Sequence, residues 1–78
     1  MKRKQEERNY IIITFYQGNS VQMGAVRYAS SQVDAILAAR SALHNTWNWQ
    51  AVVYRWNEKE SRVESFVAAY DTCDGKII

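Results

Sequence analysis

The 78-residue sequence contains no proline, one cysteine, one histidine and three glycines. One cysteine excludes an intramolecular disulfide. One cysteine and one histidine cannot complete a four-ligand zinc site unless two carboxylates arrive from elsewhere, and no such spacing occurs. Gly18, Gly24 and Gly75 fit neither of the glycine-rich phosphate-binding patterns. The longest apolar runs, such as Tyr10 to Tyr16, fall far short of the roughly 20 residues that span a bilayer. The N-terminus, Met1 to Asn9, is charged where a secretory signal would be apolar. These absences predict a cytoplasmic protein with no metal, no cofactor and no membrane association.

Catalysis is equally short of candidates. His44, at the predicted end of a helix, has no nucleophile or orienting group indicated beside it and reads as a surface or cap residue. Cys73, in Thr-Cys-Asp-Gly, lacks a second cysteine or an activating partner and reads as a turn-flanking residue. The sequence therefore predicts a protein that is not an enzyme.

The formal charge of +2 invites a nucleic-acid reading until the charges are located. Lys2, Arg3, Lys4 and Arg8 against Glu6 and Glu7 account for the whole excess, and from Asn9 onward six cations balance six anions. A basic stripe that tracks phosphates needs a local surplus of Lys and Arg, which only the N-terminal segment offers. Residues 1–9 read as a charged, flexible tail, and residues 10–78 as a single domain.

Hydrophobic residues make up 47% of the chain, ample material for one core. The run Tyr-Ile-Ile-Ile-Thr-Phe-Tyr from Tyr10 is β-branched and aromatic, which crowds a helix and suits a pleated strand. Gly18-Asn19-Ser20 permits a reversal into a second strand over 21–29, in which Gly24 marks a candidate bulge. Ser31 is the expected N-cap of a helix, with Asp34 three residues on as a weak capping box. Val33, Ile36, Leu37, Leu43 and Trp47 recur at helical spacing as its apolar stripe, and alanines 35, 38, 39 and 42 let it sit close to a sheet. Residues 49–57 and 63–70 form a second hairpin about the polar Glu58-Lys59-Glu60-Ser61. Asp74-Gly75 favours a tight turn that returns Lys76-Ile77-Ile78 as a short fifth strand. The predicted fold is α+β, in the order ββαββ, an antiparallel sheet of four or five strands with one helix packed on one face.

One helix about 10 Å wide cannot cover both sides of a sheet whose strands lie about 4.8 Å apart. Alternation puts Ile11, Ile13 and Phe15 on one side of the first strand, with Trp49, Ala51 and Val53 of the third and Val63, Val67 and Ala69 of the fourth. These mainly aliphatic or small residues suit an alanine-rich helix. The opposite side gathers Tyr10, Ile12, Thr14 and Tyr16, then Val52, Tyr54 and Trp56, then Phe66, Ala68 and Tyr70, with Val26 and Tyr28 if Gly24 does not shift the register. That aromatic side is expected to stay uncovered and to bind a partner through Tyr10, Tyr16, Tyr28, Tyr54, Trp56 and Tyr70, with Arg27 and Arg55 near its border. A self-covered core or a homodimer is the bland alternative.

With these elements placed, the plan resembles very short phage-encoded inhibitors, in particular anti-CRISPR proteins of type I systems. The resemblance spans about Tyr10 to Tyr70 and is carried by Ala29-Ser30-Ser31-Gln32 entering the alanine-rich helix and by Gln50-Ala51-Val52-Val53-Tyr54-Arg55 as the next strand. It implies a stoichiometric, non-catalytic inhibitor or adaptor docking on another protein, a Cas subunit of a surveillance complex, in the host cytoplasm. Two alternatives stand beside it. One is a small nucleic-acid-binding protein using the same face and the basic tail; the other is a homodimeric structural module.

Overall fold

A computed structural model describes residues 7–17, 21–44 and 48–71. Strands β1 (Tyr10–Gln17) and β2 (Val21–Ala29) are followed by helix α1 (Gln32–Ala42) and then by β3 (Asn48–Asn57) and β4 (Arg62–Asp71). The strands form one antiparallel sheet in the order β2-β1-β3-β4. Two hairpins thus lie side by side, joined through their inner strands β1 and β3, and α1 carries the chain from the edge strand β2 back to the middle. The predicted α+β class and ββαββ order hold, with one helix on one face of a four-stranded sheet. The proposed turn at 18–20, Trp47, Cys73, the turn at 74–75 and the fifth strand at 76–78 lie outside the described residues.

Local chemistry explains the entry to each element. Ser31 is the N-cap: its extended backbone starts the helix and its Oγ accepts from the Asp34 N–H at 3.1 Å. Asp34 places a negative charge in the first turn and Arg40 a positive one in the last, both in the sense that the helix dipole favours. Asn9 anchors the start of β1, donating its N–H to the Ala29 carbonyl while its own carbonyl accepts from Trp56 N–H, at 3.0 and 2.9 Å. Its Nδ2 also donates to the Ser30 carbonyl, on the approach to α1.

Register decides which face the helix covers. Ile12 lies opposite Val53, Thr14 opposite Ala51 and Tyr10 opposite Arg55, while Ala51 and Val53 face Tyr70 and Ala68 on β4. Residues directly opposite in an antiparallel pair share a face. That face meets α1: Tyr10, Ile12, Ala29, Ala35, Ala39, Ala51, Val53 and Tyr70 form one buried cluster, edged by Ile36, Ala38, Leu43, Val67 and Ala68. The expectation that Ile11 and Ile13 lie beneath the helix is therefore corrected. The strand periods were right, but β1 pairs with β3 one residue away from the expected match, and a one-residue slip exchanges the faces.

The helix stripe is corrected as well. Ala35 and Ala39, four residues apart, are fully buried, whereas Val33 and Leu37 are 67% and 59% exposed. Alanine leads because the sheet beneath offers Ala29 and Ala51, so the backbones approach closely; of the expected stripe, Ile36 and Leu43 pack at the margin of the core, and Val33 and Leu37 are turned outward.

A bulge in β2 interrupts its ladder with β1, as Gly24 suggested. Ile13 pairs with Val26 and Phe15 with Met23, so β2 has one residue more over that interval. Thr14, buried, meets the irregularity: its Oγ1 accepts from the Ala25 N–H at 2.9 Å and donates to the Ala25 carbonyl at 3.3 Å. The Ala25 backbone groups are thus satisfied within the sheet.

Candidate protein-contact face

The side of the sheet turned away from α1 carries no second layer among the described residues. Ile11 lies opposite Tyr28 on β2 and Tyr54 on β3, Phe15 opposite Met23, and Tyr54 and Trp56 opposite Phe66 and Val63 on β4. The aromatic rings form two edge-to-face pairs across neighbouring strands. Tyr28 and Trp56 have centroids 5.3 Å apart at 62°, and Tyr54 and Phe66 6.1 Å apart at 75°. Both geometries direct a ring's positive edge at its neighbour's negative face, which holds the rings in defined positions. Ile11 and Val52 are buried on this side, where no second layer lies among the described residues. Flanking side chains in register on both neighbouring strands shield them.

Polar groups touch the rings at the margins of the face. The Arg8 guanidinium lies 4.8 Å above the Tyr28 ring centroid, a cation–π contact. Trp56 Nε1–H donates to Glu58 Oε1 at 2.7 Å. Below the rings, the β3–β4 hairpin is closed by polar side chains: Asn57 Nδ2 donates to Glu64 Oε2, and Arg62 Nε pairs with Glu60 at 2.7 Å. Ser61 makes the reversal with φ 52°.

Of the eight residues expected to bind a partner, the fold brings Tyr28, Tyr54 and Trp56 together on this face. Tyr10 and Tyr70 are corrected to the core under α1, both less than a tenth exposed. Arg55 lies on the helix side with Tyr10, where its Nη1 donates to the Tyr10 hydroxyl at 3.2 Å and its guanidinium carbon sits 5.4 Å from that ring. Arg27 faces Ile12 and so belongs to the helix side too, where it is exposed. Tyr16, exposed, shares the helix-side alternation of Tyr10, Ile12 and Thr14. Neither Arg27 nor Arg55 borders the aromatic face, because each stands directly opposite a helix-side residue of β1.

Other members of the face were not in the expected site. Phe66 is 57% exposed and Met23 60%, and Val26, Val63 and Tyr28 are each about two-fifths exposed. Alternation assigned Phe66 to the aromatic side, but Ile11, Ile13 and Phe15 could be found only from the pairing of β1 with β3. His44 is exposed just past the helix end, with its N–H donating to the Ser41 carbonyl. Among the described residues, no three His, Cys, Asp or Glu side chains are grouped so as to hold a metal ion, and no helix is long and apolar enough to cross a membrane.

Comparisons with protein-family models, with curated proteins and with solved structures returned no match. What this face does is therefore argued from its chemistry.

Proposed function

We propose that the chain is a non-catalytic protein-binding module, an inhibitor or adaptor, whose contact surface is the uncovered sheet face centred on Tyr54, Trp56 and Phe66. The observation that carries the reading is the one-sided placement of α1. It leaves apolar side chains of all four strands, Met23, Val26, Tyr28, Val63 and Phe66 the most exposed of them, on one side of the sheet. Tyrosine and tryptophan supply large contact area at small entropic cost and keep polar tips for the rim, which is why they concentrate in protein interfaces.

Charge directs the reading toward protein rather than nucleic acid. Rings on an open sheet could stack on unpaired bases, yet such surfaces interleave their aromatics with Lys and Arg. Here Arg27 and Arg55 lie on the other side, and among the described residues Arg8 is the cation that reaches the rings. The narrower form of the proposal, an anti-CRISPR acting on a type I surveillance complex from a phage or mobile element, rests on the resemblance of the ββαββ plan alone.

The test is capture from a bacterial lysate by the immobilised chain. Wild type is expected to retain a protein partner at moderate salt; the variant with Tyr54→Ala and Trp56→Ala is expected to lose it while keeping its circular dichroism. Undiminished capture by that variant contradicts the proposed surface. Capture that collapses as salt rises from low to moderate indicates phosphate-driven binding instead. Mixing with purified type I surveillance complex decides the narrower form: stoichiometric loss of target-DNA binding supports it, and unaltered binding removes it.

A further inference from the structure

The proposal above leaves the partner's identity open, but one candidate partner is present wherever the chain is. We infer that, when no other protein holds it, the uncovered face closes on the same face of a second copy of this chain, sheet against sheet. The inference rests on reading that face as a protein-contact surface, and it says what covers the face in the free protein.

The core gives the first reason. Beneath α1 the cluster is built largely from Ala29, Ala35, Ala39 and Ala51, and only Ile12 and Val53 are large side chains buried to the limit. Small domains bury a smaller fraction of their surface than large ones and are correspondingly marginal. The other side holds Ile13, Phe15, Tyr28 and Phe66, so its closure adds apolar burial that the helix side cannot supply.

Area gives the second reason. With aromatic side chains presenting about 150–250 Å² each, the exposed parts of Met23, Val26, Tyr28, Val63 and Phe66 amount to roughly 400 Å². The partly exposed Ile13, Phe15, Tyr54 and Trp56 bring the face to the order of 500 Å² per copy. Two copies would bury about 1,000 Å² in total, the size at which specific interfaces begin. This is enough for a reversible dimer and too little for a permanent one.

Charge gives the third. A two-fold contact places residues near the axis against their own images, so a charge there would meet its like. The centre of this face, Ile13, Val52, Tyr54 and Phe66, is uncharged, and Glu64 is turned away to Asn57 and Arg62. The face is thus compatible with itself. Sheets packed in this way lie about 10 Å apart with strands about 30° from parallel, and the two helices, with Val33 and Leu37, would face outward.

Sedimentation velocity of the full chain between about 1 and 300 µM tests the inference, since an interface of this size corresponds to micromolar dissociation. The expected result is a rise from one chain mass toward two. Phe66→Glu and Tyr28→Glu, at exposed positions where the fold tolerates change, are each expected to raise the dissociation constant at least tenfold. Leu37→Glu, on the outer side of α1, is expected to leave it unchanged, with circular dichroism confirming that all variants fold. A dimer broken by Leu37→Glu but not by Phe66→Glu overturns the inference, because another surface then pairs. A strict monomer over the whole range also overturns it. If that monomer still captures another protein through Tyr54 and Trp56, the contact-surface reading survives without self-pairing; if it captures nothing, both fall.

Discussion

Thr14 is the buried polar side chain among the described residues, and its hydroxyl completes the hydrogen bonding of the β2 bulge at Ala25. Thr14→Val keeps the shape and removes both bonds, leaving a backbone N–H unpaired in the sheet. A loss of about 1–3 kcal/mol is expected, read as a lower denaturation midpoint with unchanged slope. Ile12→Ala, deleting a side chain 1% exposed in the middle of the core, is expected to cost about 2–5 kcal/mol by the same measurement. Ile11→Ala, on the uncovered side, should cost less in a dilute monomer, where neighbouring rings can relax into the space. Legibility also varied at this scale. The Ser31 cap and the bulge at Gly24 could be read from the sequence because each depends on a residue's own backbone and hydrogen-bonding preferences. The burial of Tyr10 and Tyr70 could not, since a tyrosine serves equally well at the margin of a core and on an open face.

Elements were legible where their own chemistry sets them. The β-branched run at 11–13 and the polar hairpin at 58–61 gave strands within a residue of the observed bounds, and the serine-led helix starts where expected but ends at Ala42, short of the stripe expected to run through Leu43. What a single strand does not encode is how its two faces match those of its neighbour. Tyr10 to Tyr16 is apolar or aromatic on both sides apart from Thr14, so alternation offered no polar marker to fix the match. The rule that small residues lie beneath an alanine-rich helix was sound, and Ala51 and Val53 obey it. Ile12, rather than Ile11 or Ile13, joins them. Helix seating yields three predictions. Ala39→Leu, at a position with no exposure, should force the helix off the sheet and cost about 1–3 kcal/mol. Ser31→Ala should cost about 1 kcal/mol through the lost cap. Val33→Gln, on the exposed side, should change the unfolding midpoint hardly at all.

At the scale of the whole molecule, a sheet four strands wide is served by a helix of 11 residues on one side. That imbalance was foreseeable by counting elements, and the structure retains it while changing which residues lie on which side. The rings on the uncovered side are Phe15, Tyr28, Tyr54, Trp56 and Phe66, and the arginines expected at their border lie on the opposite side. An apolar face that, among the described residues, carries a single cation at its margin, Arg8 over Tyr28, should bind with little dependence on salt, in contrast to phosphate-led recognition.

Hydroxyl-radical footprinting of the aromatic and methionine side chains, run at low and high protein concentration, addresses this most directly. Tyr10 and Tyr70 should be protected at both concentrations, whereas Met23, Tyr28 and Phe66 should react at the low one and become protected at the high one. Reactive Tyr10 and Tyr70 beside a Phe66 protected even at high dilution would put the helix on the other side of the sheet and contradict the account.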